Sequence, residues 1–174
     1  MGHKVDKWGD VGHSGGTGQE VYTKGQKNED GRKRAEVFLG EYFHSLDGKG
    51  RVVMPAAFRH ALEDGCVLTK GQDSQLIVYS KVDFEARALE VTERPQDRSG
   101  RRFSRTMFGG ADLQTPDKSG RLLVKPDLRQ FAGLDLSTEI AVVGLFDHVE
   151  LWSNDAYLAD RSAGDEIYRE EDEA

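Results

Sequence analysis

The sequence predicts an α+β protein in which two copies of one structural unit share a single core. The run DGKGRVVMPAAFR at residues 47–59 returns at residues 117–129 as DKSGRLLVKPDLR, 70 positions later and with no gap. Such internal self-similarity is the sequence signature of a duplicated unit. Each copy is too short to bury much apolar surface by itself, so we expect the two copies to pack against one another.

The correspondence between the copies continues beyond this motif at an offset of 73 positions. Gly71 corresponds to Gly144, and Tyr79 corresponds to Trp152. Three residues are therefore inserted in the second copy, within the stretch 133–138. Connecting segments tolerate insertions better than strands or helices do, so this stretch is predicted to be a loop.

The first copy opens with a predicted hairpin. Residues 38–46 read as a strand, residues 47–50 as a turn whose glycines can take positive φ, and residues 51–54 as a second strand ended by proline. The second copy repeats this order, but Lys125 stands where the first copy has Pro55. This difference predicts that the second strand of the second copy runs one residue longer.

A helix, a strand pair and a second helix follow in each copy. Residues 55–62 read as a short helix opened by proline, with its apolar residues on one face. Residues 66–70 and 76–79 read as the next strand pair, and Ser80 with Asp83 caps a helix that runs to about residue 92. The second copy shows the same succession of elements.

Charge is distributed unevenly along the sequence. The net charge of −7 includes −5 from the last fifteen residues, where seven acidic residues accompany two basic ones. An acidic segment with few apolar residues is typical of disordered chain. The predicted organisation is a disordered extension (1–36), a first repeat (37–92), an arginine-rich connector (93–107), a second repeat (108–159) and an acidic disordered tail (160–174).

Basic residues concentrate in the two motif turns and in the connector. The connector arginines stand among acidic residues and serines, so a solvated helical face is the simplest interpretation. Contact with phosphate groups is the alternative. The arginines in question are Arg94, Arg98, Arg101, Arg102 and Arg105.

The composition excludes several classes of protein. A single cysteine excludes an intrachain disulfide, and its apolar neighbours predict that Cys66 is a core residue and not a nucleophile. No apolar run approaches the length of a membrane span, and the N-terminus lacks the hydrophobic stretch of a signal peptide, so we expect a cytoplasmic protein without a membrane partner. The five histidines do not converge as in a zinc site, and GGTG at residues 15–18 lacks the strand and lysine of a phosphate loop. No metal, cofactor or small-molecule ligand is predicted.

The repeated turn contains the residues with the most specific chemistry. Arginine on a tight turn presents a planar fork of donors that suits the guanine edge in the major groove, or a phosphate group. We therefore predict that Arg51 and Arg121 contact DNA. Lys49 and Lys118 share the two turns and are predicted to anchor phosphate groups.

Four further charged residues belong to the repeated motif. Asp47 and Asp117 stand four residues before the arginines, where they either orient the guanidinium groups or simply close the hairpins. Closing the hairpin is the favoured interpretation, because an acid facing DNA is useful only as an orienter. Arg59 and Arg129, on the short helices, are expected to brace a neighbouring subunit or to lie near the DNA.

These residues make the chain similar to the MraZ family of bacterial transcription regulators. The similarity rests on FLGEY at 38–42, on DGKGRV at 47–52 with Pro55 and the FR pair at 58–59, and on DKSGR at 117–121 followed by Leu128 and Arg129. It covers essentially all of residues 37–159. One Asp-x-x-x-Arg motif alone would be a weak signal, whereas two motifs, each followed by the same strand and helix, are specific.

The resemblance implies an AbrB-like swapped-hairpin β-barrel, in which one chain supplies both halves that AbrB-type proteins build as a dimer. It also implies that chains assemble into a ring, a homo-oligomer larger than a dimer. This ring is expected to bind short repeated boxes in promoter DNA. The boxes are expected upstream of the division and cell-wall gene cluster that begins with the family's own gene.

The predicted function is a sequence-specific DNA-binding transcriptional regulator, associated with the nucleoid, and not an enzyme. Several copies of the arginine turns would engage adjacent boxes, and multivalent binding would hinder polymerase at the promoter. The first alternative is an AbrB-type antitoxin or developmental regulator that acts at other promoters. The second is an enzyme built on Asp47 and Asp117, which is disfavoured because no nucleophile or cofactor loop accompanies them.

The first 36 residues have two interpretations. Members of the family normally begin with methionine directly before FLGEY, and Val37 occupies that place here. Valine is what a GUG start codon becomes when a translation start is placed too far upstream, so one interpretation is regulatory DNA read as protein. The other is a genuine disordered arm, a common property of chain termini with few apolar residues.

Overall fold

The computed structural model describes residues 37–172, and the predictions made for residues 1–36 lie outside this part of the chain. The described residues form an α+β fold, as the sequence predicts, and none of their helices is long and apolar enough to cross a membrane. The elements are β1 (Phe38–Ser45), β2 (Arg51–Val53), α1 (Ala56–Leu62), β3 (Cys66–Lys70), β4 (Leu76–Ser80), α2 (Lys81–Thr92), α3 (Arg98–Gly109), β5 (Asp112–Gln114), β6 (Arg121–Leu123), α4 (Pro126–Ala132), β7 (Glu139–Phe146), β8 (Val149–Ser153) and α5 (Asn154–Asp172).

A six-stranded antiparallel sheet has the strand order β1-β7-β8-β4-β3-β5. Exchanging each strand for its counterpart in the other copy, β1 for β5, β3 for β7 and β4 for β8, reverses this order and changes nothing else. Three of the pairings, β1 with β7, β4 with β8 and β3 with β5, join the two copies. The copies are therefore interleaved in one fold, as expected for units that are too small to stand alone.

The first predicted hairpin forms its turn but not its ladder. A single bridge between Leu46 and Val52 joins its two strands. β1 instead pairs with β7 along all eight residues, and β2 pairs with β6 as a separate two-stranded ladder. The predicted local ladder is therefore wrong, because β7 offers β1 a partner of eight residues for backbone hydrogen bonds, whereas β2 offers only three.

The core packs one face of the large sheet against β2, β6, α1 and α4. Phe58 of α1 lies at its centre, with ring centroids 5.4 Å from Phe38 and 5.2 Å from Tyr42 in edge-to-face arrangements. Cys66 is also part of this core, as predicted, and burial raises the pKa of its thiol to about 12. Such a thiol behaves as a small apolar residue.

The two short helices form where the sequence predicts them, but the strand before the second one does not have the predicted length. α1 buries Phe58 and Leu62, and α4 begins at Pro126 and ends at Gly133, which takes the left-handed conformation at φ +61°. The prediction that the second strand runs one residue longer is wrong, since β6 and β2 both have three residues. Lys125 is instead the boundary residue of α4, because Pro126 starts the helix immediately after it.

The longer helices of the first copy and the connector are capped by side chains. Ser80 Oγ accepts the backbone N–H of Asp83 at 3.2 Å, which confirms the predicted cap of α2. Asp97 caps α3 by accepting the N–H of Gly100 at 2.7 Å. α3 packs on β3, where Thr69 Oγ1 donates to the carbonyl of Met107 at 2.7 Å. The connector is therefore a helix fixed to the sheet.

Residues 160–172 are helical, contrary to the disordered tail predicted for 160–174. The first turns of α5 are anchored, since Tyr157 lies 6.3 Å from Trp152 between ring centroids and Arg161 Nη1 donates to Glu41 Oε2 at 3.1 Å. From this anchor the helix continues to Asp172, and the continuation includes Ala163, Arg169 and three glutamates. These residues have high helix propensity, which a prediction from charge and hydropathy alone overlooks.

A buried polar contact also joins the two copies. Gln75 Nε2 donates to Glu150 Oε1 at 2.8 Å, and Trp152 Nε1 donates to Glu150 Oε2 at 2.8 Å. Burial raises the pKa of Glu150, but hydrogen bonds from His148, Gln75 and Trp152 outweigh burial and leave the pKa below its ordinary value. The carboxylate therefore stays charged and ties the start of β4 to β8.

Candidate nucleic-acid interface

The carboxylate of Asp47 closes the first motif turn. Asp47 Oδ1 accepts the backbone N–H groups of Lys49 at 2.8 Å and Arg51 at 2.9 Å. Asp47 Oδ2 accepts Nε of Arg51 at 2.8 Å. Two backbone bonds complete the turn, from Asp47 N to the Arg51 carbonyl at 2.8 Å and from Gly50 N to the Asp47 carbonyl at 2.9 Å. A single carboxylate thus shapes the backbone and fixes the arginine.

The second motif turn repeats this arrangement. Asp117 Oδ1 accepts the N–H groups of Ser119 at 2.8 Å and Arg121 at 3.1 Å, and Asp117 Oδ2 accepts Nε of Arg121 at 2.8 Å. The backbone bonds are equivalent, from Asp117 N to the Arg121 carbonyl at 3.0 Å and from Gly120 N to the Asp117 carbonyl at 2.8 Å. The sequence repeat is therefore a repeat of hydrogen-bond geometry.

Each aspartate accepts two backbone hydrogen bonds in its turn and also contacts the guanidinium group of its arginine. Each aspartate engages only Nε of the guanidinium group. Within residues 37–172, no residue occupies Nη1 or Nη2 of Arg51 or Arg121. The two arginine side chains are 30% and 32% exposed, so both reach the surface of the chain.

Hydrogen bonds keep both aspartates charged. For Asp47 the backbone N–H of Arg51 has the largest effect and lowers the pKa below the ordinary value of 3.8. For Asp117 partial desolvation raises the pKa, but hydrogen bonds from Arg121 and Ser119 outweigh it and lower the pKa overall. A lowered pKa means that the folded turn favours the charged carboxylate.

The stability that Asp47 and Asp117 contribute to the fold is expected to depend on pH. Because their pKa values are lowered in the folded state, this stability is present above about pH 4 and is lost as the pH falls through the lowered values. Asp47→Ala and Asp117→Ala should therefore lower the melting temperature at pH 7 more than Arg51→Ala does. The deficit should shrink in thermal melts recorded below pH 4. An equal deficit at pH 7 and pH 3 would contradict this role.

The β2–β6 ladder brings the two turns together. The two strands pair over three residues, with Val52 opposite Leu122 at the centre. Val52 and Leu122 are fully buried, and because side chains alternate along a strand, Arg51 and Arg121 share the outer face. They occupy diagonal positions of the ladder, with Cα atoms about 7–8 Å apart. One surface of the chain therefore presents both arginines.

Arg59 and Arg129 brace the turns within the chain, a role that the sequence analysis missed. Arg59 Nε donates to the Met54 carbonyl at 2.9 Å, and Met54 N donates to the carbonyl of Gly120 at 2.9 Å. Arg59, from the first copy, therefore supports the turn of the second copy. The signal available in the sequence was the recurrence of arginine at both 59 and 129.

The opposite brace runs from the second copy to the first turn. Arg129 Nε donates to the Val124 carbonyl at 3.2 Å, and Val124 N donates to the carbonyl of Gly50 at 2.7 Å. Glycine is required at both contacts, since φ is +79° at Gly50 and +72° at Gly120. A Cβ atom at Gly120 would also lie 2.6 Å from Nε of Arg59. The conformation of each turn therefore depends on the other copy.

Lys49 and Lys118 lie on the exposed turns, as predicted, but at different positions. The backbone N–H of Lys49 has its counterpart in that of Ser119, whereas Lys118 occupies the place of Gly48. Both lysines are exposed, and among the described residues no acidic partner engages their ammonium groups. They lie on the rim of the surface that presents the arginines.

The comparison with known protein families concerns the same stretch of chain. The family described as “MraZ protein, putative antitoxin-like” matches residues 37–105 and 107–163. The chain belongs to the MraZ family. The first matched segment contains the turn of Asp47 and Arg51, and the second contains the turn of Asp117 and Arg121. Both turns therefore lie in the part of the chain that matches MraZ.

Individual relatives support the same assignment, and each is called “Transcriptional regulator MraZ”. The protein of Saccharopolyspora erythraea is 42% identical over 118 residues, which are 67% of this chain and 81% of the relative. That of Paenarthrobacter aurescens is 40% identical over 131 residues, 73% of this chain and 90% of the relative. That of Finegoldia magna is 37% identical over 126 residues, with 70% and 84% covered.

Proposed function

We propose that this chain is a sequence-specific DNA-binding regulator whose two turns present Arg51 and Arg121 to the duplex. The observation behind this proposal is that each guanidinium group is held at Nε, which leaves Nη1 and Nη2 to act together. Two terminal donors in one plane suit the O6 and N7 acceptors of guanine, or two phosphate oxygens.

The geometry favours recognition because the arginines are already oriented before DNA arrives. A long side chain normally loses rotamer freedom on binding, and Asp47 and Asp117 reduce that loss by fixing Nε in advance. Lys49 and Lys118, on the exposed rim, supply phosphate contacts that position the chain without reading sequence. The two kinds of contact together account for both register and specificity.

The proposed DNA-bound form is a ring-shaped homo-oligomer of AbrB-like swapped-hairpin subunits. The pairing of β2 with β6 and the symmetric strand order support a barrel built from two equivalent halves. Each subunit offers its pair of arginines to one box, and adjacent subunits engage adjacent boxes upstream of the division and cell-wall gene cluster that includes the protein's own gene. Occupancy of the boxes then represses transcription by hindering polymerase, in association with the nucleoid.

The number of boxes on a DNA fragment is expected to control affinity steeply. Linked sites convert later binding events into intramolecular ones, so three boxes should bind about 10²- to 10⁴-fold more tightly than one. Titrations of duplexes with one, two and three boxes measure this, and light scattering of residues 37–174 should show an oligomer larger than a dimer. Affinity that rises only in proportion to box number, or a monomer at micromolar concentrations, would contradict the proposal.

An AbrB-type antitoxin or developmental regulator is the second candidate function. The description “antitoxin-like” attached to the matching family is the observation that favours it. This candidate would use the same arginine turns but bind other promoters. A toxin gene beside the gene of this protein, with DNA binding confined to that operon, would favour the antitoxin.

A further inference from the structure

The connector helix α3 has a cationic face without carboxylate partners. Residues 98–110 include four arginines and no acidic residue, and the arginines recur at spacings of three and four, which places them on one side of the helix. We call this the α3 cationic face, defined by Arg98, Arg101, Arg102 and Arg105. All four side chains are exposed, and the buried Met107 marks the opposite side.

This face differs from Arg87 of α2 and Arg161 of α5, which pair with carboxylates. On α2, Arg87 pairs with Glu90 at 2.7 Å, and on α5, Arg161 pairs with Glu41 at 3.1 Å. Within residues 37–172, no carboxylate pairs with any arginine of the α3 cationic face; Arg101 donates instead to the carbonyl of Gln96. Like charges at these spacings destabilise a helix. A bound polyanion would relieve that repulsion.

A cleft of about 650 Å³ continues the cationic surface beyond the end of α3. Lys70, Arg105 and Lys125 line it together with Asp112 and Asp127, so cations outnumber carboxylates. Asp112 Oδ1 lies 2.5 Å from Nζ of Lys125 and positions that ammonium group, and the Lys125 side chain as a whole is 56% exposed. The cleft and the α3 cationic face meet at Arg105.

The cleft lies beside the first arginine turn. Val124, the residue before Lys125, donates its N–H to the carbonyl of Gly50 at 2.7 Å, and Leu123 lies opposite Arg51 in the β2–β6 ladder. Val124 is buried and Lys125 is exposed, so Lys125 shares the outer side with Arg51. When Arg51 reads base edges in the groove, Lys125 lies beside it and can contact a neighbouring phosphate.

The first copy has no equivalent of these lysines. Pro55 stands at the position of Lys125, and Val143 corresponds to Lys70 at the offset of 73. Since Val124 contacts Gly50 and Met54 contacts Gly120, the basic flank accompanies the turn of Arg51 but not that of Arg121. The basic flank therefore makes the subunit asymmetric, although its two arginine turns are nearly equivalent.

We propose that the α3 cationic face, with Lys70 and Lys125, binds the phosphate backbone of duplex DNA beside the groove that Arg51 reads. The proposal rests on the proposed function and extends it. Because the basic flank lies on one side of the subunit, it fixes the direction in which each subunit binds along its box. These phosphate contacts supply affinity and orientation, whereas the arginine turns recognise the bases.

The test measures DNA affinity over a series of salt concentrations, for variants that remove the positive charges and for variants that keep them. Each variant is titrated with a one-box duplex and with an unrelated duplex. The main variant combines Arg102→Gln, Arg105→Gln and Lys125→Gln, and the conservative variant has Arg102→Lys with Arg105→Lys. Arg169→Gln, on the acidic helix α5, is the control that removes one charge elsewhere. Thermal melts and oligomer size accompany each titration, and if the combined variant melts early, the three single variants replace it.

The salt dependence of binding is the expected readout. Each lost phosphate contact should lower the magnitude of the slope of log affinity against log salt by about 0.9. The combined variant, which loses three contacts, should therefore lower that magnitude by between about two and three. Affinity should fall by the same factor on both duplexes, the lysine variant should keep the wild-type slope, and Arg169→Gln should change nothing. Hydroxyl-radical footprints should lose protection on one side of the box only.

Several results would overturn the proposal. An unchanged slope would do so, as would a loss confined to the one-box duplex, or a loss of slope on single-stranded RNA but not on duplex DNA. The same holds if the Gln variants lose binding only through smaller oligomers. If the wild-type protein binds no duplex at all, the proposed function fails; if it binds and only the slope is unchanged, the proposed function stands and the phosphate flank is wrong.

Discussion

Alanine at Arg51 or Arg121 is expected to remove most DNA binding while leaving the fold intact. Each substitution deletes a guanidinium group with two available donors, and a good bidentate contact is worth about 1–3 kcal/mol, or roughly 5- to 150-fold in affinity. In an oligomer this loss multiplies over every box engaged. A titration of promoter DNA at one stated salt concentration measures the effect.

Stability provides the control for this prediction. Partly exposed arginine–carboxylate pairs contribute little to folding, so melting temperature and oligomer size should stay near those of the wild-type protein. Asp47→Ala and Asp117→Ala should show the opposite balance, with a smaller loss of binding and a larger loss of stability. Normal DNA binding by both arginine variants, or loss of binding that follows only from unfolding, would show that the motif merely closes a hairpin.

A chain restricted to residues 37–92 is expected to remain unfolded as a monomer. It retains the pairing of β3 with β4 but loses β7, β6, β8 and β5, the partners of its other strand edges. A two-stranded hairpin is marginally stable at best in water. Circular dichroism over a thermal ramp, together with light scattering, should show no cooperative transition for the monomeric fragment.

Dimerisation of this fragment would still agree with a shared core, because a second molecule can supply the missing strands. The matched control is the chain of residues 37–174, which should melt cooperatively under the same conditions. A cooperative two-state melt of monomeric 37–92 would show that the first copy folds on its own. The interleaved architecture would then be incidental to stability.

Local signals in the sequence were sufficient to predict the order of elements and the chemistry of the turns. Proline before 56–62 and at the start of 126–132 indicated where the short helices begin, and Ser80 indicated the cap of α2. These features depend on residues within one turn of each other. The spacing of Asp47 and Arg51 likewise indicated that their side chains could meet, which the structure confirms at 2.8 Å.

Long-range pairing could not be predicted in the same way. The alternation of residues in β1 is compatible with any antiparallel partner, and only the length of β7 and the burial of its inner face select it. The braces of Arg59 and Arg129 were missed for the same reason, since they cross from one copy to the turn of the other. The helical tail was missed because its anchor, Arg161 on Glu41, joins residues 120 positions apart.

The DNA fragments that this protein retains show whether its two arginine turns recognise repeated boxes. Sheared genomic DNA is passed over the immobilised chain, and the retained fragments are sequenced beside those held by the double variant Arg51→Ala, Arg121→Ala. We predict strong enrichment of fragments with regularly repeated boxes, foremost those upstream of the protein's own gene, and loss of this enrichment in the double variant. Retention of fragments without a common repeat, or the same enrichment in both proteins, would contradict this prediction.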